Sequence, residues 1–198
     1  MNTFQFRHFK RFALVLAAGF SLLSACTTPA VQAQTQEPVL VSDLKKELAK
    51  YQDEEKTVAK YIQIFDTLDF DVFTHQKWER LHESHSQNVV VHWPDGHSTQ
   101  GIDVHIQDLK AMFVFAPDTR IETHPIKFGK GEWTSVIGVM EGTFSQPMPI
   151  GNGKTIPPTG KKFKLTMATI GHWKDGVMDQ EYLFWDNGEF MKQIGLAP

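Results

Sequence analysis

Apolar residues in the first half of the chain recur at helical spacing on a charged background. From residue 43 to residue 68 they form a single stripe. Ser42 precedes this segment, and its hydroxyl can accept a backbone N–H of a first helical turn. The pattern predicts a helix over residues 43–68 that Ser42 caps. The stripe consists of Leu44, Leu48, Tyr51, Val58, Tyr61, Ile62 and Phe65.

Three shorter elements are predicted next. Residues 72–85 are expected to form a second helix, with Phe73, Trp78 and Leu81 facing inward. Residues 88–93 (NVVVHW) are β-branched and end at a Pro-Asp-Gly turn, which is typical of a strand. A third helix is predicted over residues 102–115, because an Ala-Pro-Asp sequence follows and disfavours further helix.

Beyond residue 119 the apolar period changes to two. Four segments rich in Val, Ile, Thr and aromatic residues are strand candidates, namely residues 120–128, 133–144, 163–173 and 177–185. No helix separates them, which indicates an antiparallel sheet. Helices followed by a long sheet predict an α+β domain whose helices pack on one face of the sheet.

The N-terminus has the features of an export signal. Arg7, Lys10 and Arg11 precede an apolar run at residues 12–23 that is short for a membrane span. Residues 23–26 (LSAC) resemble the lipobox of bacterial lipoproteins, which implies that Cys26 is lipidated after removal of residues 1–25. The alternative is an ordinary secretory signal that is cut after residues 31–33 (VQA). Both interpretations place the protein outside the cytoplasm, in the periplasm or on the cell surface.

Charge and composition narrow the class of partner. Removing residues 1–25 takes away three basic and no acidic residues, which lowers the net charge from −3 to −6. Nucleic acid is therefore not an expected partner, because binding to phosphates needs a basic surface. Residues 26–41 are polar and carry Pro29 and Pro38, and we expect them to form a flexible tether to the domain at residues 42–198.

The C-terminal third resembles a known family. Residues 156–163 (IPPTGKKF), residues 173–176 (WKDG) and residues 193–195 (QIG) are similar, in sequence and spacing, to the SnoaL-like polyketide cyclases of the nuclear transport factor 2-like superfamily. The resemblance covers about residues 45–196. It implies a cone-shaped α+β fold around a mostly apolar pocket, homodimers through the outer sheet face, and chemistry without metal or cofactor.

The family's acid/base positions are not preserved. The resemblance places the aspartate, histidine and glutamine of SnoaL on Leu183, Thr169 and Met167. An apolar pocket without the family's catalytic set is therefore expected.

The last hairpin predicts which side chains share the pocket face. A three-residue loop at residues 174–176 would place Trp173 opposite Val177 and Met167 opposite Leu183. Alternation then places Glu181 on the pocket face and Asp186 on the other. The same face is expected to carry Leu165, Thr169, Gly171, Asp179 and Trp185. Asp186 and Glu189 also have the spacing of a capping box, which predicts that Asp186 caps a final helix.

Two residues remain candidates for catalysis. Glu181 lies two residues before the lost aspartate position, and a carboxyl in an apolar pocket tends to have a raised pKa suited to a general base. The alternative is a glutamate at the pocket mouth that pairs with Lys162 or Lys164. His92 lies beside Trp93 at a position that lines the family's site. The alternative is a hydrogen-bonded wall residue, which is the commoner role of a lone histidine in a strand.

The pocket wall and the remaining histidines complete the predictions. The ligand-binding wall is expected to contain Trp93, Met112, Trp133, Met167, Thr169, Leu183 and Trp185, although the same residues could simply fill the core. The histidines at positions 82, 85, 92, 97 and 105 cluster in sequence, but their spacing predicts no metal site.

Three functions are consistent with these features. The first is a lipid-anchored domain that binds a small apolar or aromatic molecule. The second is a cofactor-independent cyclase, isomerase or hydrolase that uses Glu181 and His92. The third is a structural dimeric module of the envelope. Export disfavours polyketide ring closure itself, which is an intracellular step in the family.

Overall fold

The computed structural model describes residues 37–198. Its longest helix, α1, spans Glu37–Thr67 and is followed by a π-helical turn at Leu68–Phe73 and a 3-10 turn at Trp78–Glu83. Helix α2 spans Ile102–Phe115, and helix α3 spans Asn187–Gln193. None of the helices within this range is long and apolar enough to cross a membrane. The predicted signal and Cys26 lie outside the described residues.

The described residues contain nine strands, all of them from position 85 onwards. They are β1 (His85–His92), β2 (Ser98–Gln100), β3 (Arg120–Ile121), β4 (Ile126–Lys130), β5 (Trp133–Thr143), β6 (Met148–Pro149), β7 (Thr155–Ile156), β8 (Lys162–Lys174) and β9 (Val177–Phe184). Seven form one sheet in the order β2-β1-β9-β8-β5-β3, with β4 also paired to β5. All pairs are antiparallel except β1 with β9. This mixed, mainly antiparallel sheet with its helices confirms the predicted α+β class.

The helical predictions hold for α2, whose bounds agree with the sequence pattern, and fail at two other places. Helix α1 begins at Glu37, inside the expected tether, so Ser42 lies within the helix and is not its cap. The predicted helix over residues 72–85 is broken, because Gln76 has a positive φ of 53° between the two short turns. His85 therefore starts β1 instead of ending a helix.

The strand predictions are close in position, with one split. Residues 120–128 form two strands, β3 and β4, which both pair with β5. Pro125 lies between them and lacks the N–H that a ladder needs, which explains the interruption. The other three predicted strands correspond to β5, β8 and β9.

The hairpin between β8 and β9 differs from the predicted one but preserves its main consequence. Asp175 and Gly176 form a two-residue turn with φ values of 53° and 91°, so the three-residue loop is wrong. A bulge after His172 then restores the alternation, and Thr169 lies opposite Leu183 while Gly171 lies opposite Glu181. Glu181 therefore faces inward as expected.

Because of the same bulge, one residue, Asp179, does not lie on the face predicted for it. Asp179 was expected on the inner face beside Glu181. Instead its carboxylate lies 2.6 Å from Nδ1 of His172, whose strand position alternates with the buried residues of β8. The inner face at this point is occupied by the fully buried Met178.

Helix α1 closes one end of the inner face through aromatic packing. The Tyr61 ring stacks on the Trp173 ring at 4.5 Å between centroids, and Phe65 contacts the same indole edge-on. The Trp173 indole N–H donates to Thr134 Oγ1 at 2.8 Å. Packing begins at Val58, since Leu44, Leu48 and Tyr51 are each more than half exposed.

An ionic cluster centred on His124 joins α1 to the sheet. The buried His124 imidazole lies between two carboxylates, with Nδ1 2.8 Å from Asp66 and Nε2 2.8 Å from Asp69, and Lys127 also pairs with Asp66. Burial lowers the pKa of His124, but the hydrogen bonds and charges of Asp69 and Asp66 outweigh burial and raise the net pKa. Both ring nitrogens donate only when the ring is an imidazolium.

We predict that the contribution of His124 to stability depends on pH. A raised folded pKa stabilises the protein fully below the unfolded value of about 6.5, and this contribution is lost as pH rises through the folded value. His124→Gln should therefore lower the free energy of unfolding by about 2 kcal/mol at low pH and by less at high pH. Urea unfolding at pH values from below about 6.5 to above the folded pKa of His124 measures this loss of stability. The exposed His82→Gln is the control. A pH-independent loss would mean that the imidazole is neutral in the folded protein.

Candidate functional site

A cavity of about 440 Å³ lies between the inner face of the sheet and helices α2 and α3. Exposed wall residues on α2, β6 and α3 (Val114, Pro149 and Asn187) place its opening between these elements. Most of the wall is apolar. It includes Leu68, Phe73, Leu109, Met112, Phe115, Ile121, Met140, Met167, Leu183 and Phe190. The volume lies in the range of pockets that hold small organic ligands.

One corner of this cavity is polar, and we call His85, His105 and Glu181 the buried triad. Oε2 of Glu181 lies 3.3 Å from Nε2 of His105 and 3.6 Å from Nε2 of His85. All three residues are buried, at 2%, 2% and 5% exposure. A carboxylate and two imidazoles thus face one another in a largely apolar enclosure.

The triad is assembled from three separate elements. His85 is the first residue of β1, and Glu181 lies in β9, which pairs in parallel with β1 through Val91. His105 lies near the start of α2, where its N–H donates to the carbonyl of Gly101. Gly101 has a φ of 98°, and this left-handed conformation turns the chain from β2 into the helix. The β1–β9 pairing and this turn together bring the side chains to one point.

Ser84 determines how His85 presents itself to the cavity. The Ser84 hydroxyl donates to the carbonyl of Leu81 at 3.1 Å, and its oxygen lies 2.9 Å from Nδ1 of His85. A hydroxyl that donates to Leu81 can only accept from His85, so Nδ1 carries a proton. The other ring nitrogen, Nε2, points towards Oε2 of Glu181. These two atoms are both acceptors when the ring is neutral.

Unpartnered polar atoms concentrate in this cavity. In residues 39–198, four buried side-chain atoms have no hydrogen-bond partner. They are Nε2 of His85, Nδ1 of His105, Oδ2 of Asp108 and Oε2 of Glu181, and all four residues line the cavity. A buried polar atom without a partner costs about 1–3 kcal/mol, so such a concentration is typical of a binding site.

The pKa values of the triad follow from burial and from mutual contact. Burial lowers the pKa of His105 to about 4, so this imidazole is neutral at neutral pH. Burial alone raises the pKa of Glu181, but the adjoining imidazoles of His85 and His105 outweigh it and lower the net pKa. The expected raised pKa of Glu181 is therefore wrong. The corner holds an ionised carboxylate, which is a weak base.

Most of the predicted wall residues do line the cavity. Besides Glu181, the structure brings Trp93, Met112, Met167, Thr169, Leu183 and Trp185 to its surface. The Trp93 and Trp185 rings meet edge-on at 6.2 Å, and Trp93 also lies 6.1 Å from the ring of His105. The lost family positions Thr169, Met167 and Leu183 thus remain part of the wall, without acid/base groups.

Two predicted residues lie outside the cavity, because strand alternation turns them to the outer face of the sheet. His92 stacks on Tyr182 at 4.2 Å, and its Nδ1 lies 2.8 Å from the Ser98 hydroxyl. Trp133 is 44% exposed and packs against His172. Neither residue can contact a ligand in the cavity, and the pairing of Glu181 with His92 is corrected to Glu181 with His85 and His105.

Asp186 has the structural role that its sequence context predicts. Its carboxylate accepts the backbone N–H of Glu189 at 2.9 Å and caps α3. The side chain of Glu189 accepts from Gln193 instead of reaching back to the cap. Asp186 therefore stabilises the helix and takes no part in the cavity.

Sequence reasoning missed His85 and His105. His105 could have been found, because it replaces an apolar residue in the inward-facing series Ile102, Leu109 and Met112 of α2. His85 gave no such signal, since it was assigned to the end of a helix. One ligand-type atom from each triad residue lies within 4.8 Å of the others, so these three residues could hold a metal ion.

Comparisons with known proteins agree with this architecture. The family model of the SnoaL-like polyketide cyclases matches residues 65–194. A search of curated proteins finds no match to this sequence.

Solved structures provide the fold-level comparison. A Jannaschia sp. CCS1 protein assigned to the SnoaL-like polyketide cyclases superposes with a TM-score of 0.62 at 17% identity, covering 71% of this chain and 95% of its own. IdmH from Streptomyces antibioticus, assigned as a polyketide cyclase, gives 0.58 at 22% identity and covers 68% and 98%. A Xanthomonas campestris pv. campestris protein with the same assignment gives 0.60 at 12% identity and covers 70% and 99%.

A mixed, mainly antiparallel sheet with helices around an apolar cavity defines a domain of the nuclear transport factor 2-like class. Within that class, the chain belongs to the SnoaL-like polyketide cyclase family.

We predict that the contribution of Glu181 to stability depends on pH. Its folded pKa is lowered, so the carboxylate stabilises the protein above the unfolded value of about 4.3. Glu181→Gln should therefore lower the free energy of unfolding by about 1 kcal/mol near neutral pH and by less in acid. Urea unfolding of chelator-treated protein measures the change, with the exposed Glu47→Gln as control. A gain of stability in Glu181→Gln near neutral pH would mean that the ionised carboxylate has no stabilising partner in the wild type.

Proposed function

We propose that this SnoaL-like domain binds a small apolar or aromatic molecule that carries a polar group. The observation that supports the proposal is the set of four unpartnered polar atoms in the wall of an otherwise apolar cavity. The apolar wall provides affinity through burial, and the polar corner provides orientation.

The chemistry of the corner narrows the ligand class. Glu181 and Asp108 offer acceptor oxygens, and the Nε2 lone pair of His85 is a third acceptor. A ligand with a hydroxyl or another donor can satisfy these atoms, whereas a pure hydrocarbon leaves them without partners. We therefore expect a molecule such as a phenol or an alcohol with an apolar body.

An enzyme of the same pocket is the second candidate. A buried carboxylate beside two imidazoles could move a proton in a cyclase, isomerase or hydrolase reaction without a cofactor. The family name and the assignments of the superposed proteins favour a cyclase. The lowered pKa values of Glu181 and His105 make both groups weak bases, and for this reason we place binding first.

The third candidate, a structural envelope module, requires a filled cavity. The volume of about 440 Å³ argues against it.

Export and lipid anchoring through Cys26 are part of the proposal, with the periplasm or cell surface as the location. Their support is the sequence of residues 1–26, in which a basic segment and an apolar run precede LSAC. A tethered pocket would be held close to a membrane in which apolar ligands are concentrated.

A second copy of this chain is the proposed partner of the outer sheet face. Apolar side chains on this face are unusually exposed for a soluble domain, at 57% for Ile126, 62% for Phe128 and 44% for Trp133. The dimers implied by the family resemblance use the same face.

We predict that bulky substitutions in the wall reduce binding of an apolar probe. The fluorophore N-phenyl-1-naphthylamine should bind the domain at residues 42–198, a compact unit that contains the whole sheet. Met167→Trp and Leu183→Trp fill the cavity and should each weaken the probe's Kd at least tenfold, or about 1.4 kcal/mol. A fluorescence titration measures Kd.

His92→Ala is the matched control, because this side chain lies on the outer face and should leave Kd unchanged. Equal affinity in the wild type and both tryptophan variants would place the probe elsewhere and contradict the proposal. Native mass spectrometry of protein purified from its own host would then identify any retained molecule.

We predict that Cys26 carries the lipid. Metabolic labelling with radioactive palmitate should label the wild-type chain, and Cys26→Ser should lose the label and leave the membrane fraction. Thr27→Ala is the control and should keep both properties. An unlabelled wild type whose N-terminus follows Ala33 would support the ordinary secretory signal instead.

A further inference from the structure

We propose that the buried triad binds one divalent transition-metal ion, with Nε2 of His85, Nε2 of His105 and Oε2 of Glu181 as its protein ligands. No other group of three or more such side chains within residues 39–198 brings its ligand atoms this close together. Two imidazoles and one carboxylate form a donor set found in catalytic zinc sites and in non-haem iron sites.

The spacing of the donor atoms fits a metal ion. Tetrahedral ligands at about 2.0–2.1 Å from Zn²⁺ are separated from one another by roughly 3.3 Å. The two measured separations from Oε2 of Glu181 are 3.3 Å to His105 and 3.6 Å to His85. One ligand atom from each of the three residues lies within 4.8 Å of the others, so side-chain rotations would bring all three to coordination distance.

The hydrogen bond on the far side of His85 prepares this ring for coordination. Nδ1 donates to the Ser84 hydroxyl, which is itself held by the carbonyl of Leu81. A metal-binding histidine commonly donates its second ring N–H to such a group, which fixes the tautomer and orients the lone pair. Ser84 is fully enclosed at 2% exposure, so water does not replace it.

A cation also removes the electrostatic conflict in the corner. Nε2 of His85 and Oε2 of Glu181 are two unpartnered acceptors that face each other. The carboxylate oxygen Oδ2 of Asp108, in the wall of the same cavity, is also buried without a partner. A divalent ion bound to the triad would partner both facing acceptors at once and offset the local negative charge.

Three protein ligands leave at least one coordination position open, and here the free space is the apolar cavity. The fitting ligand is an apolar molecule with an oxygen donor, such as a carboxylate, a carbonyl or a phenolate. Metal binding itself does not depend on the proposed function. It excludes a simultaneous role of Glu181 as a free base, because the same oxygen would hold the metal.

Isothermal titration calorimetry, in which ZnCl₂ is added to the chelator-treated domain, tests the inference. We expect one equivalent to bind in the wild type and at least 100-fold weaker binding in Glu181→Gln and His85→Gln. Ser84→Ala should weaken binding about tenfold, as expected for a group that orients a ligand. Co²⁺ in place of Zn²⁺ should give the visible absorption of a low-coordinate site.

His97→Gln and His172→Gln are matched controls, because each imidazole is close to a carboxylate on the surface. They should change the affinity less than twofold. Absence of stoichiometric Zn²⁺ binding in the wild type would overturn the inference. Loss of Zn²⁺ binding in either control variant would also overturn it.

A measurement on the wild type alone covers the case in which a triad variant does not fold. Zn²⁺ should shift the imidazole nitrogen NMR signals of His85 and His105 and leave those of His92 and His172 in place. Unchanged signals from the triad would refute the site. Probe binding by metal-free protein is measured separately, so failure of the metal site and failure of the apolar pocket are distinguishable.

Discussion

The burial of the Glu181 carboxylate between two imidazoles is the interaction on which the rest of the site depends. A charge in an apolar enclosure is costly unless it has partners. Here two imidazoles lie within 3.6 Å of the carboxylate, but its Oε2 has no hydrogen bond. The fold keeps this arrangement because β1, β9 and α2 are each held by their own hydrogen bonds. A molecule or ion that enters the cavity and binds the unpartnered Oε2 would therefore gain free energy from this contact.

The sheet separates two environments through strand alternation. Its inner face carries the cavity and, beyond it, the aromatic packing of Trp173 with Tyr61. The bulge near Asp179 keeps Glu181 on this face despite a turn shorter than expected. His92 and Trp133 belong to the outer face, so their chemistry concerns surface contacts.

Membership of the SnoaL-like family explains the fold and its cavity, but it does not explain the polar side chains inside the cavity. The positions that the resemblance assigns to acid/base groups are Leu183, Thr169 and Met167, which form wall here. Polar character instead lies two residues away on the same strand, at Glu181, and is joined by histidines from β1 and α2. A shared fold with a displaced polar corner favours a ligand class of its own.

The sequence by itself determined the α+β class, the bounds of α2, the positions of β5, β8 and β9, and the cap at Asp186. These features follow from local periodicity and from contacts between neighbours in sequence. Only the tertiary structure decided that His85 and His105 meet Glu181, and that His92 does not. That outcome depends on the parallel pairing of β1 with β9. It also depends on Gln76, whose positive φ breaks the helix predicted over residues 72–85 and lets His85 start β1. The strand pairing joins residues far apart in sequence, and the positive φ is a backbone conformation. The spacing of apolar and polar side chains predicts neither of them.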